Sequence, residues 1–201
     1  DFVPSRGLGD VYKRQMIFGW EMPASMTQFF NPFFIILFGS IFSIMWVKLS
    51  QIGKNPSIPL KFCFGIVQLA LGFLLTKLGF QFVNEAYQVP ILTLVFLYML
   101  HTTGELFLSP IGLSMVTKLS PKSMAGTAMG AWFLSFAIAN YAGGKIAAIT
   151  GGHSGGEAVS AEAGLLQYLD VFSTIGYVLL IIAAIIFLLN KPIKKLMHGV
   201  E

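Results

Sequence analysis

The sequence predicts an all-α, polytopic membrane protein with five transmembrane helices, and three observations predict it. The chain is 55% hydrophobic and only 11% charged, whereas a soluble domain carries about a quarter charged residues. Its mean hydropathy of +0.75 leaves too little polar surface to cover a water-soluble fold. The apolar residues are also gathered into blocks at 26–48, 59–79, 90–117, 124–149 and 167–190. Each block reaches or exceeds the roughly 20 residues that cross about 30 Å of hydrocarbon as a helix.

Residues 1–15, DFVPSRGLGDVYKRQ, are polar and basic and lack the apolar core of a cleavable secretory signal. The string RGLGDVYKRQ resembles the read-through of a sequencing adapter. Residues 1–15 are therefore read as a non-native scar or a disordered arm, and residues 16–201 as the transmembrane bundle.

The formal charge of +4 follows the spans. Lys48, Lys54 and Lys61 lie after the first span, Lys118 and Lys122 after the third, and Lys191, Lys194 and Lys195 in the tail. The alternate connections hold only Lys77 and Lys145, together with Glu85, Glu157, Glu162 and Asp170. This positive-inside asymmetry puts the tail and the first and third connections in the cytoplasm. The basic excess thus reports orientation, and no interleaved aromatic and arginine patch suggests a nucleic-acid partner. Cys63 has no second cysteine to pair with and reads as a small packing residue inside a span. His101, His153 and His198 lie in separate segments without metal-ligand spacing. No metal and no cofactor is expected.

In the first span, Asn31-Pro32 sits a few residues inside the apolar block. Either Pro32 bends the helix beside Gln28 and Asn31, making a wall for a wet cavity, or Asn31 caps a helix whose first turn holds Pro32. The second span has one interior polar residue, Gln68, and reads as a packing or lipid-facing helix without chemistry of its own.

The third span contains the one acid deep in an apolar block, Glu105 in LHTTGELFLSPIGLSM. An ionisable group there costs about 2.5 to 3.5 kcal/mol on insertion scales, so it faces protein or water and marks a pathway or relay. Helical spacing puts His101, Thr102, Glu105, Ser109 and Gly112 on one stripe. Pro110 leaves the Leu106 carbonyl without its helical partner and predicts a bend. Carboxylate, hydroxyls and a freed carbonyl all accept hydrogen bonds, which suits a protonated amine. The structural alternative is a neutral Glu105 that bonds a neighbouring helix, since desolvation favours the protonated carboxyl. An acid that exchanges its proton for a bound amine would combine the two.

The fourth span carries Gly126 and Gly130 at small-xxx-small spacing, which predicts close helix packing. Trp132, Phe136 and Asn140 form a second face at steps of four, and Trp132 serves either in packing or as a pocket wall. The loop ITGGHSGGEAVSAEAG is small and polar, as an outer connection should be, and its glycines follow no strand, unlike a phosphate-binding loop. The last span ends in lysines, is nearly featureless inside, and is expected to pack at the periphery.

The block GELFLSPIGLSMVTKLSP at 104–121, followed by GTAMGAWFLSFAIAN at 126–140, resembles the tenth and eleventh helices of the proton-dependent oligopeptide transporters, a branch of the major facilitator superfamily. QFFNPFFIIL at 28–37 is similar to their eighth helix, and the likeness covers residues 16–200 in order. The acid-to-proline spacing of Glu105 and Pro110, with the following GLSM, carries it best. The resemblance implies that the chain supplies helices eight to twelve, most of the C-terminal six-helix bundle of a major facilitator fold. It also implies proton-coupled symport of di- and tripeptides across a bacterial inner membrane, with protons as the coupling ion.

By position, the resemblance assigns Glu105 to the acid that receives the peptide amino terminus, Asn31 to a peptide-contacting amide, and Trp132 with Phe133 to aromatics near the pocket and inner gate. Ser109 lies beside them. The family's first-helix acid and arginine cluster, fourth-helix lysine and seventh-helix acid have no counterpart in this sequence. Truncation is the simplest cause, and five spans alone are not expected to transport, because alternating access needs two units rocking about a central site. The expected partners are therefore short peptides, membrane lipid and the N-terminal bundle of the same protein. Transport of another small amine-bearing solute is the alternative. A membrane-embedded transferase would need a second convergent catalytic group that the spacing does not offer, and an oligomeric scaffold would not depend on Glu105.

Overall fold

A computed structural model of the chain describes residues 15–17, 20–22, 24–83, 89–150 and 161–198. A short antiparallel ribbon, β1 (Gln15–Ile17) and β2 (Trp20–Met22), leads into a 3-10 segment, Ala24–Phe29. Helices follow at α1 (Phe30–Gln51), α2 (Ile58–Gly79), α3 (Ile91–Leu119), α4 (Ala125–Thr150), α5 (Ala161–Leu188) and the short α6 (Asn190–Leu196). The ribbon is absent from the sequence-based expectation, and it pairs Gln15, the last residue of the expected scar, with Met22. The rest of that segment, together with Glu85, His153 and Glu157, lies outside the described residues.

Four helical stretches are long and apolar enough to cross a membrane: Met26–Gln51, Ile58–Phe82, Ile91–Leu119 and Glu162–Leu188. The fifth expected span is present as α4, a helix of 26 residues. Its glycines, Ser135, Asn140 and Lys145 dilute its apolar content, and it does not join those four.

The second span, read as a packing or lipid-facing helix, packs at the centre of the bundle. Helix α2 packs against α3 on one side and α5 on the other. Its glycines recur every seven residues, at 65, 72 and 79, and each lies against α3. A Cβ on Gly65 would stand 2.9 Å from the Gly104 carbonyl oxygen, and one on Gly104 would stand 2.8 Å from that of Gly65. Gly72 receives the ring of His101, and Gly79 receives Thr93. Backbones approach this closely because no side chain stands between them, which is how helices gain packing contacts in a medium as apolar as their own side chains. Toward α5, Phe73 meets Phe172 at 5.3 Å between ring centroids, Gly176 receives Leu74, and the Cys63 thiol donates to the Ala183 carbonyl at 3.4 Å. The last long helix thus packs on α2 along one face and leaves much of its remaining surface exposed.

Two proline expectations resolve differently. Pro110 lies inside α3, which continues without interruption from Ile91 to Leu119. Pro32 is the third residue of α1, within the first turn, where a missing N–H has little to lose. The expected bend inside the span at Pro32 is replaced by a change from 3-10 to α geometry just before it. Asn31 makes no cap either, because Phe29 occupies the N-cap position without a side-chain bond.

Candidate functional site

Three helices bring the candidate residues together around the middle of α3. On one flank α1 packs against α3 through an aromatic run: Phe42 and Trp46 each meet Phe107 edge-on at 5.1 Å, and Phe30 lies 5.9 Å from Tyr98. Phe107 is thereby buried. This contact sets the start of α1 beside Glu105. The Asn31 amide donates to a Glu105 carboxylate oxygen at 3.3 Å.

Glu105 is exposed, and no cation pairs with it among the described residues. A carboxylate with one neutral donor retains most of its acceptor capacity, since an ionised carboxyl offers about four lone-pair sites. On the other flank, α4 lays Trp132 against Gly112, where a Cβ would overlap the indole ring. Trp132 is half-buried and meets Phe136 edge-on at 6.1 Å. Seven residues, or two turns, separate Glu105 from Gly112, about 10 Å along the axis. Ser109, half-buried, lies between them in sequence.

The stripe expected on α3 divides in the structure. Glu105 is open, but Thr102 is fully buried, Gly112 is buried under Trp132, and His101 turns into α2 with its ring 4.5 Å from Phe73. Helix α3 is clasped on several sides, so neighbours at 20 to 100° around its circumference face different partners. Phe133 is 57% exposed, with its ring 6.2 Å from Phe136. Gly126 and Gly130 do not make the expected close approach within this chain: both are exposed, and a Cβ added to either would have nothing within 4 Å. The surface they occupy has no neighbour among the described residues. The sequence reading missed Tyr98, whose hydroxyl lies 3.3 Å from that of Thr27. Its spacing of seven from Glu105, matched by Gly112 seven residues later, would have placed all three along one line of α3. The described residues contain no cluster of three metal-ligating side chains.

The POT family (PTR2) matches residues 11–159. The chain belongs to the POT family. It is 37% identical over 193 residues to the peptide transporter YePEPT of Yersinia enterocolitica subsp. palearctica, covering 94% of this chain and 36% of that protein. It is 35% identical over 183 residues to dipeptide and tripeptide permease A of Edwardsiella piscicida, covering 91% of this chain and 36% of the permease. Among solved structures it is similar to a crystal structure of a peptide transporter POT in complex with sulfate. That likeness has a TM-score of 0.78 at 30% identity and covers 95% of this chain and 36% of the other. The chain spans about a third of the length of these POT relatives. It is a multi-pass membrane segment of a transporter family, homologous to bacterial permeases.

Proposed function

We propose that this chain is the C-terminal part, helices eight to twelve, of a proton-coupled symporter that carries di- and tripeptides across the bacterial inner membrane by alternating access. The observation that carries the reading is an exposed carboxylate, Glu105, in the middle of a membrane-spanning helix, with Asn31 as its neutral neighbour. A peptide ammonium is the missing counter-charge: it offers three donors to the lone pairs that Asn31 leaves open. Trp132 and Ser109 border the same stretch of α3, and Phe133 contributes from α4. The relatives named for dipeptides and tripeptides support this substrate class.

A proton and an ammonium compete for Glu105, so the proton that travels in the same direction as the peptide sits on a different group while the amine occupies Glu105. The groups that carry that proton, and those that bind the peptide carboxylate, belong to an N-terminal bundle that packs on this one, so the chain alone does not transport. The lysine asymmetry puts the C-terminal tail and the first and third connections in the cytoplasm.

The test is Glu105→Gln in the intact protein, with dipeptide binding measured by calorimetry and uptake into liposomes driven by an inward proton gradient. Loss of one charge-assisted contact, about 1.5 to 3 kcal/mol, lowers affinity about ten- to hundredfold. A dipeptide with an acetylated amino end should show little difference between the two proteins. Equal affinity for the free-amino dipeptide would reject the role of Glu105.

A further inference from the structure

A cavity of about 160 Å³ lies where the first turn of α2 meets the ends of α3, α5 and α6. Its walls are entirely apolar and include Ile58, Phe62, Met115, Ile186, Ile193 and Met197. The cavity is open on one side, and water in an opening lined only by apolar side chains is displaced favourably by a hydrocarbon segment. Helix α6 closes one side of it and is fixed there by a hydrogen bond from the Ser57 hydroxyl to the Asn190 side-chain oxygen, 2.6 Å long. The helix is two-faced. Ile193 and Met197, four residues apart, line the cavity, while Lys191, Lys194 and Lys195 are exposed on its remaining surface. A short helix with an apolar face inward and lysines outward has the build of one that lies at the level of lipid headgroups.

The electrostatics of this end are one-signed. Among the described lysines, all but Lys77 and Lys145 lie at this end of the bundle. The nearest described acids lie well away: Glu105 is mid-helix in α3, and Glu162 and Asp170 are near the opposite end of α5. Hydrocarbon walls beneath a rim that is lysine-rich and, among the described residues, without acids complement one chemical class, an amphiphile with an acyl chain and an anionic head.

We propose that this cavity binds an anionic glycerophospholipid, with an acyl segment between α2, α3, α5 and α6 and the headgroup phosphate against the lysines of α6. The bound lipid braces α6 against the first turn of α2. Neither the peptide site nor its orientation in the membrane is needed for this assignment.

Native mass spectrometry on the intact protein, released from detergent after incubation with equal amounts of dioleoyl phosphatidylglycerol and dioleoyl phosphatidylcholine, tests it. Retention of phosphatidylglycerol at least tenfold over phosphatidylcholine is expected. The surface variant K191Q/K194Q/K195Q should lower that retention at least tenfold, given about fivefold per lysine near an anionic surface. Met115→Trp should remove it by filling the cavity, and K118Q/K122Q, at the same end but outside α6, should leave it within about threefold. Equal retention of the two lipids, or full retention by the triple variant, would overturn the proposal. So would an equal loss in K118Q/K122Q, which would mean that the whole basic end attracts lipid without a seat.

Discussion

Gly112→Ala adds one methyl group where α3 meets Trp132, and its cost follows from what that methyl meets. The new Cβ would overlap the outer ring of Trp132, stand 2.7 Å from its Cζ2 and lie 3.2 Å from Cζ of Phe62. Ordinary contact begins at 3.4 Å, so the indole must withdraw by roughly 0.7 Å at Cζ2 and by roughly 1 Å at its nearest atom. The obstacle is the far end of a side chain, not backbone, so α3 and α4 need not separate. Overpacking costs about 1 to 3 kcal/mol, and replacing a helical glycine by alanine returns about 1 kcal/mol. The net destabilisation is about 0 to 2 kcal/mol, and the intact protein should fold. If Trp132 lines the peptide site, its displacement removes an aromatic contact of about 0.5 to 1.5 kcal/mol, which is about two- to tenfold in dipeptide affinity by calorimetry. An unchanged affinity in a folded Gly112→Ala protein would refute the placement of Trp132 at the pocket wall.

Gly65→Ala should be costlier than Gly112→Ala, because its Cβ would meet the Gly104 carbonyl at 2.9 Å and Leu108 Cγ at 2.8 Å. Here the backbones of α2 and α3 must part. A loss of about 1 to 3 kcal/mol should appear as a lower thermal midpoint than that of Gly112→Ala, and equal midpoints would contradict the backbone contact. Ser57→Ala removes the bond that ties α2 to α6, worth about 1 kcal/mol. It should speed proteolytic cleavage after α6 severalfold without changing dipeptide affinity, and an unchanged cleavage rate would show that α6 is held by its apolar face alone.

The membrane spans were legible because hydrocarbon imposes one requirement, length and apolarity, that can be read off a string of residues. Glu105 was legible for the same reason: a carboxylate in such a block is an exception that needs an occasion. The resemblance assigned Glu105 and Asn31 separately to the peptide, and their hydrogen bond to each other was not part of that reading. That bond could not be reached from the residues alone, because 74 positions separate the two and only the aromatic packing of α1 on α3 closes the gap. Which side chains of α3 are open and which are clasped was also hidden. His101, Thr102 and Glu105 share a stripe by helical arithmetic, yet the arrangement of neighbouring helices half-buries the first against α2, buries the second and leaves the third accessible. The central role of α2 was written in the seven-residue recurrence of Gly65, Gly72 and Gly79. A search for polar exceptions passes over glycine, whose contribution is the absence of a side chain.

The exposure of α4 bears on what completes the bundle. Every residue from Phe133 to Ile146 is exposed in this chain. Helix α5 also exposes much of its surface, but with isoleucine, leucine and valine, which lipid accommodates. Helix α4 instead exposes Gly126, Gly130, Ser135, Asn140, Gly143 and Gly144. Ser135 and Asn140 turn their side chains back onto the carbonyls of Trp132 and Phe136, at 2.6 and 2.9 Å, which limits their cost in an apolar setting. The glycines remain unexplained by lipid, since each costs about 1 kcal/mol in a helix with no contact here to offset it. A second helical bundle resting on this surface would supply the offset, because small residues let its backbone approach. Gly126→Leu therefore discriminates: among the described residues nothing lies within 4 Å of a Cβ added there. A fall in thermal midpoint and in peptide uptake by the intact protein would locate a close neighbour at that glycine, whereas a variant as stable and active as the parent would mean that α4 faces lipid or water there.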